Sequence, residues 1–340
     1  MGLSERKKSI LQAVITEYVK SAEPVGSRSI SRRYDMGFSP ATIRNEMADL
    51  EEMGYLLQPH TSAGRVPTQK GYRCYVDELM ETADLTETDK QQIRGVFRFE
   101  KMREIEEIIK QASSLLSSLT DYTSIISGPQ LRKSAFKKLQ IMPADVENAL
   151  LVLITDTGFI KNKFIKLPKS ISMDDLPRIV SYLNRRLEGL TIDNISSALI
   201  RELRRDLYNY VTFLEDTFTL LEESLTEDER RVFLGGTTNI LKQPEFSDIE
   251  KVKALLYLFE QHSLLANLLS RPVSGVERVV IKIGKENILE EVQECSLVMC
   301  TYSLGKEEVG TMALLGPTRM EYSRAVAVLQ NVVQSLEKVM

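Results

Sequence analysis

The stretch GFSPATIRNEMADLEEMGYL, residues 37–56, marks both ends of a helix more clearly than any other part of the chain. Ser39 can accept a hydrogen bond from the first unpaired backbone N–H groups, and Pro40 stands where a missing N–H is harmless. Gly54 sits where the backbone must leave through a left-handed residue. The signals predict a rod of about 14 residues, about 21 Å long. At about 100° per residue, Ile43, Met47 and Leu50 share the face that must be buried. Ala41, Arg44, Asn45 and Ala48 lie opposite, with Thr42 to one side.

The flanking sequence supplies partners for the buried face. SERKKSILQAVITEYVKSA places Ile10, Leu11, Val14, Ile15 and Val19 on one helical stripe, with Ser4 as its cap. SRSISRRY reads as a short second helix, and YLLQPHTSAGRVPT as two extended pieces joined by a loop. Helix, helix, turn, helix, hairpin is the order of a winged helix-turn-helix. Charge agrees with a nucleic-acid role. Residues 1–44 hold eight Lys/Arg against four acids, a net +4 in a chain whose formal net charge is −4. The remaining 296 residues therefore carry a net −8, so basic charge is concentrated in the motif. Glu46, Asp49, Glu51 and Glu52 oppose phosphate, but they lie toward the end of the helix that recognition helices use least. The competing explanation is a protein-contact module with an ordinary solvated face.

Composition excludes several function classes. No apolar run approaches the roughly 20 residues needed to cross a bilayer. The start, MGLSERKKSILQ, lacks a secretory core and matches a myristoylation signal poorly, with Glu5 where Ser or Thr is wanted. Three cysteines, Cys74, Cys295 and Cys300, with no paired spacing fit a reducing compartment, and a cytoplasmic location is expected. The two histidines, His60 and His262, have no ligand at metal spacing, so no metal or cofactor is expected. No nucleophile or acid–base motif stands out, and LGGTTN and LGPTRM lack phosphate-loop spacing, so the chain is not expected to be an enzyme.

Beyond residue 82 the pattern changes. Residues 85–126 read as a charged helical connector whose Ile105, Ile108, Ile109, Ala112, Leu115, Leu116 and Leu119 form a seam. That seam packs on its own domain or contributes to a dimer. Strand-like runs follow in KLQIM, ALLVLIT and FIKNKFIKLP, with a turn at 156–158. Residues 172–270 read mainly as helices, and strands return in RVVIKIG, SLVMCTYSL and GTMALLG before a last helix from Glu321 to Lys338. Strands on both sides of a helical block suggest one α+β sheet domain carrying an insertion. Leu255, Leu256, Leu258, Phe259, Leu264, Leu265, Leu268 and Leu269 are dense enough to make that block the expected dimer patch.

Residues 23–80, beginning EPVGSRSISRRYDMGFSPATIRNEMADLEEMGYLLQPHTSAGRVPTQKGYRCYVDELM, resemble the N-terminal domain of the heat-inducible transcription repressor HrcA family. FLGGTTNILKQPEF resembles its central segment, and IGKEN, CSLVMCTYS and GTMALLGPTRMEYSRAV resemble its C-terminal signature. The resemblance implies a winged helix-turn-helix followed by a GAF-like α+β domain with an inserted, mainly helical dimerisation domain. On this chain the expected bounds are 1–82 for the DNA-binding domain and 83–127 for the connector and start of the GAF-like domain. Residues 128–171 and 272–340 are expected to complete the GAF-like domain, and 172–271 to form the insertion. The family implies a negative regulator of class I heat-shock chaperone operons. It binds double-stranded DNA as a homodimer at an inverted-repeat operator called CIRCE, and the GroE chaperonin maintains its activity. Misfolded proteins that occupy the chaperonin on heating would end repression. An alternative is a ligand-responsive regulator whose GAF-like domain binds a small metabolite.

Spacing and chemistry then assign contacts. Thr42, Arg44 and Asn45 are expected at base edges, since Arg pairs with guanine, Asn with adenine, and Thr meets a thymine methyl. Ser27, Arg28 and Arg32 are expected on phosphates, and His60, Ser62 and Arg65 on the wing. Each has a duller alternative. Thr42 could serve only its own first turn, Arg28 could pair with Glu23, and His60 could be a solvated loop residue.

Overall fold

The computed structural model describes residues 3–61, 63–98, 105–128, 135–145, 147–156, 160–167, 175–191, 202–203, 205, 231–269, 279–304 and 307–339. Ser4 accepts the Lys7 N–H and opens α1 (Glu5–Ser21), which buries Ile10, Leu11, Val14 and Ile15. Helix α2 (Ser27–Arg33) contributes Ile30 to the same core, and α3 (Pro40–Glu52) contributes Ile43, Met47 and Leu50. The two-residue strands β1 (Leu56–Leu57) and β2 (Val66–Pro67) pair antiparallel as the wing. Thr68 caps α4 (Gln69–Cys74), which continues through a π-helical turn to Leu79.

The connector is ordered by its own chemistry. Thr86 and Asp89 form a reciprocal capping box at the start of α5 (Glu87–Phe97). In α6 (Ile105–Thr120) the apolar seam is buried inside the chain, against the sheet and the last helix. The strand β3 (Thr123–Ser127) follows directly.

Strands β4 (Phe136–Pro143), β5 (Asn148–Thr155) and β6 (Ile160–Lys166) form an antiparallel meander with α7 (Leu176–Leu187) on one face. The chain then returns at β7 (Val232–Gly235), passes through α8 (Ile249–Glu260) and α9 (His262–Leu269), and adds β8 (Val279–Ile283), β9 (Cys295–Leu304) and β10 (Glu307–Pro317). The second sheet has the order β7-β3-β10-β9-β8, antiparallel throughout. Its alternating residues serve two cores. Val298, Cys300, Tyr302, Met312 and Leu314 meet α6 and the closing helix α10 (Tyr322–Val339), whereas Leu297, Met299, Ala313 and Leu315 meet α8 and α9.

This topology corrects the expected division of the chain. Among the described residues of 128–171, β4, β5 and β6 pair only with one another and do not extend the C-terminal sheet. Residues 172–271 do not form one insertion, because β7 pairs with β3 and α8 and α9 pack on the larger sheet. The interruption therefore falls between β3 and β7. Leu255, Leu258, Phe259, Leu265, Leu268 and Leu269 are buried core residues and Leu264 is partly buried, whereas Leu256 is 41% exposed, so most of the leucine-rich stretch packs within the chain. Burial against an antiparallel sheet explains their density. Within the stretch expected to be mainly helical, residues 192–201, 204 and 206–230 lie outside the described residues.

Candidate nucleic-acid interface

Helix α3 is fixed at both ends as its sequence demands. The Ser39 hydroxyl accepts the Thr42 N–H at 3.1 Å and lies 2.9 Å from the Thr42 hydroxyl. At the other end Tyr55 N–H reaches the Leu50 carbonyl and Gly54 N–H the Glu51 carbonyl, with Gly54 at φ +78°. Between these caps the buried face is the predicted one, and Ala41, Arg44 and Asn45 project into solvent. Thr42 is half-buried, its hydroxyl engaged by the cap.

The acids on α3 are neutralised from within the domain. Lys7 Nζ stands 2.6 Å from both Glu46 and Asp49, and these bonds, Asp49 first, raise its pKa above the ordinary value. Arg6 reaches Glu46 at 3.4 Å and covers the Phe38 ring at 5.0 Å. Lys8 pairs with Glu78, and Arg33 with Glu17. Four of the eight N-terminal cations are thus committed to the domain itself. The other four, Lys20, Arg28, Arg32 and Arg44, are exposed and have no ion pair among the described residues. Three of them are the predicted DNA contacts. Arg28 does not pair with Glu23, and Ser27 sits half-buried in the first turn of α2.

The wing is more rigid than its sequence suggests. Gln58 Nε2 donates to the carbonyls of Thr61 at 3.1 Å and Ala63 at 2.8 Å, closing the loop on which His60 is exposed. Val25 and Arg65 exchange backbone hydrogen bonds of 2.9 and 2.8 Å, which ties the wing to the loop before α2. This approach requires Gly64, where a Cβ would lie 2.4 Å from the Val25 carbonyl carbon. The Arg65 side chain turns inward. Its Nε lies 2.8 Å from a Glu51 oxygen with the side chain only 18% exposed, an ion pair that ties the wing to α3. Ser62 lies outside the described residues. The sequence reasoning missed Lys7, Glu51 and Gln58, whose partners lie across the fold or in loop backbone.

Other chemistry is sparse. Cys74, Cys295 and Cys300 are buried and free, and burial pushes the Cys295 thiol up to about 12, which keeps it protonated and unreactive. No helix among the described residues is long and apolar enough to cross a membrane. A cleft of about 630 Å³ runs between α5 and the end of α10, with Lys90, Arg94 and Lys338 at its rim. None of its lining residues comes from α1–α3 or the wing.

Residues 2–80 match the family described as the winged helix-turn-helix transcription repressor, HrcA DNA-binding, and residues 106–326 match the HrcA protein C terminal domain. The chain belongs to the HrcA family. It is 47% identical over 336 residues to the heat-inducible transcription repressor HrcA of Natranaerobius thermophilus, spanning 99% of this chain and 96% of that relative. It is 42% identical to the HrcA of Brevibacillus brevis, spanning 99% of this chain and 98% of that relative. A crystal structure titled as a hypothetical protein shares the fold with a TM-score of 0.67 at 24% identity, over 99% of this chain and 98% of that one. The expected winged-helix head and α+β body are thus the architecture of this HrcA-family chain.

The Arg65 pin generates a prediction. Replacing Arg65 with Ala is expected to speed amide exchange across 58–66 while the α3 amides keep their protection. Unchanged wing exchange by mass spectrometry would show that the pin does not restrain the hairpin.

Proposed function

We propose that this chain is a DNA-binding repressor of heat-shock chaperone operons that reads an inverted-repeat operator as a homodimer. The observation that carries the reading is the charge distribution on the head. Internal acids take up Arg6, Lys7, Lys8 and Arg33, while Arg28, Arg32 and Arg44 are exposed without an ion pair among the described residues, and Asn45 is exposed as well. Arg44 supplies paired donors for a guanine edge, Asn45 a donor and an acceptor for an adenine edge, and Arg28 and Arg32 supply sequence-independent attraction to phosphate. His60 would track the backbone from the wing tip.

A two-fold dimer matches an inverted repeat and doubles the sequence read. The β4-β5-β6 sheet offers a surface for it. One face is covered by α7; the register puts Met142, Leu150 and Phe164 in one row of the other face, with Ile154 beside Ile160 in another. Phe164 is 71% exposed, Met142 48% and Ile160 47%, far more than an aromatic or aliphatic residue of a closed core. An apolar face of this kind suits a homodimer interface better than contact with water. The proposal places the dimerising surface on 136–166 and not on the leucines of α8 and α9.

Loss of repression on heating is assigned, by kinship, to competition for the GroE chaperonin. The heat-damaged repressor would need the chaperonin to refold, so misfolded proteins that occupy it would leave operators vacant.

Three outcomes test these assignments. Arg44→Ala should cost about 1–3 kcal/mol of discrimination between operator and scrambled duplex, whereas Arg28→Ala should weaken both alike and flatten the dependence of log K on log salt. An unchanged ratio of specific to non-specific affinity for Arg44→Ala rejects its role in readout. Phe164→Glu should convert the dimer to monomer in sedimentation velocity; an intact dimer moves the interface elsewhere. Heated repressor should recover operator binding faster with GroE and ATP than alone, and equal recovery would end the chaperonin assignment.

A further inference from the structure

The head and the body meet through a pair of arginines that point in opposite directions. Arg73, from α4 of the head, reaches into the body. Its Nη2 donates to the Ile281 carbonyl of β8 at 2.7 Å, and its guanidinium pairs with the Glu286 carboxylate, with Nε to Oε1 at 3.0 Å. Arg319, from the turn after β10, reaches into the head. Its Nη1 donates to the Val19 carbonyl of α1 at 3.1 Å, while Glu245 and Gln243 hold the rest of the guanidinium from the body side. Each unit therefore grips main-chain atoms of the other, and each arginine is itself oriented by a carboxylate.

The surface between these grips is packed. Tyr72 is 3% exposed and its ring lies 6.1 Å from that of Tyr322, at the start of α10. Gln69 accepts the Lys285 N–H at 3.2 Å beside Gly284, where φ is +55° and a Cβ would come 2.9 Å from the Gln69 side-chain oxygen. A continuous apolar cluster runs from Ile10 and Leu50 of the head through Phe97 to Leu329 and Leu336 of α10. A head on a flexible tether would show none of this.

We infer that the reciprocal Arg73 and Arg319 clamp makes the head and the larger-sheet body one rigid arm, and thereby narrows the range of half-site spacings that the dimeric repressor accepts. The inference rests on the dimeric operator reading. DNA couples translation to rotation: one added base pair moves a half-site by about 3.4 Å and turns it by roughly a tenth of a helical turn. A head held by two main-chain grips and a shared core cannot follow that screw motion. Only one half-site then engages, and the avidity of the pair is lost. A head freed from its grips keeps a high effective concentration over a range of spacings. Arg73 and Arg319 are positioning residues in this scheme; neither touches DNA.

The test uses the full-length chain and a set of operator duplexes. One duplex carries the natural spacer, others carry spacers changed by one, two and five base pairs, and one carries a single half-site. Wild-type affinity should fall by about a hundredfold or more when the spacer changes, as expected when geometry forbids simultaneous engagement. Arg73→Ala, Arg319→Ala and the double variant should lose less than about tenfold across the same set, since a tethered second head still binds. Arg73→Lys, which keeps the charge and one donor, should lie between. Binding to the single half-site should be the same for all of them, a result a misfolded head could not give. Variants that discriminate spacers as sharply as wild type overturn the clamp, as does loss of single half-site binding in every variant, which would make these arginines structural. A wild-type protein that fails to prefer any operator over scrambled duplex rejects the operator reading itself and is distinct from both.

Discussion

Burial of Ile43, Met47 and Leu50 against α1 and α2 is the constraint from which the rest follows. Those three residues fix the rotation of α3 about its axis, and that rotation alone decides that Arg44 and Asn45 face outward. Full removal of one such side chain from water contributes about 1.5–3 kcal/mol, more than the surface ion pairs around it, which contribute roughly 0–1 kcal/mol each. Packing therefore sets the direction of the helix and electrostatics only trims it. The Lys7 pairs matter for a different reason. Without them the helix meant to approach phosphate would present Glu46 and Asp49 uncompensated. The chain places cations next to these acids from a neighbouring helix and leaves the outward cations unspent.

The local part of this arrangement was legible in the sequence. Ser39, Pro40 and Gly54 act within a few residues of themselves, and helical spacing reports which side of α3 is buried. What was not legible depends on partners brought together by the fold. Lys7 meets Glu46 and Asp49 across 39 and 42 residues, so a count of charges saw a basic segment without seeing which cations the domain's own acids engage. Arg65 looked like a wing residue because it lies in the hairpin. Its inward turn depends on Glu51 lying across from it, which no spacing rule reveals.

The body was misdivided for a related reason. Strands on either side of a helical block suggested one sheet, but antiparallel strands joined by short turns satisfy their backbone bonds with one another, as β4, β5 and β6 do. The strand that closes the larger sheet at its β3 edge, VFLG at β7, has four residues and no alternation long enough to register. The leucines of α8 and α9 invited a similar error. Apolar density shows that a surface is covered without showing by what, and here it is covered by the chain's own sheet. The exposed face of β5 and its neighbours is better described by what remains uncovered, with Phe164 at its edge.

The shared core between head and body also bears on how such a protein would respond to heat. Ordinary two-domain regulators join their units by a linker, so each unit melts independently and a sensor must transmit its state. Here α10 and α6 line the same apolar cluster that reaches the buried residues of α1 and α3, and Arg73 and Arg319 bind across the junction. Local opening of α10 removes packing from the head as well as from the sheet, so the free energies of the two losses are coupled. In the proposed mechanism no separate thermometer is required. Destabilising the body weakens the platform that holds α3 in register, and regaining that platform requires refolding contacts separated by most of the chain, such as Val19 with Arg319 and Tyr72 with Tyr322. Contacts of that separation form slowly and leave apolar surface open meanwhile. In the proposed mechanism it is this slowly closing, partly open chain that the chaperonin would capture.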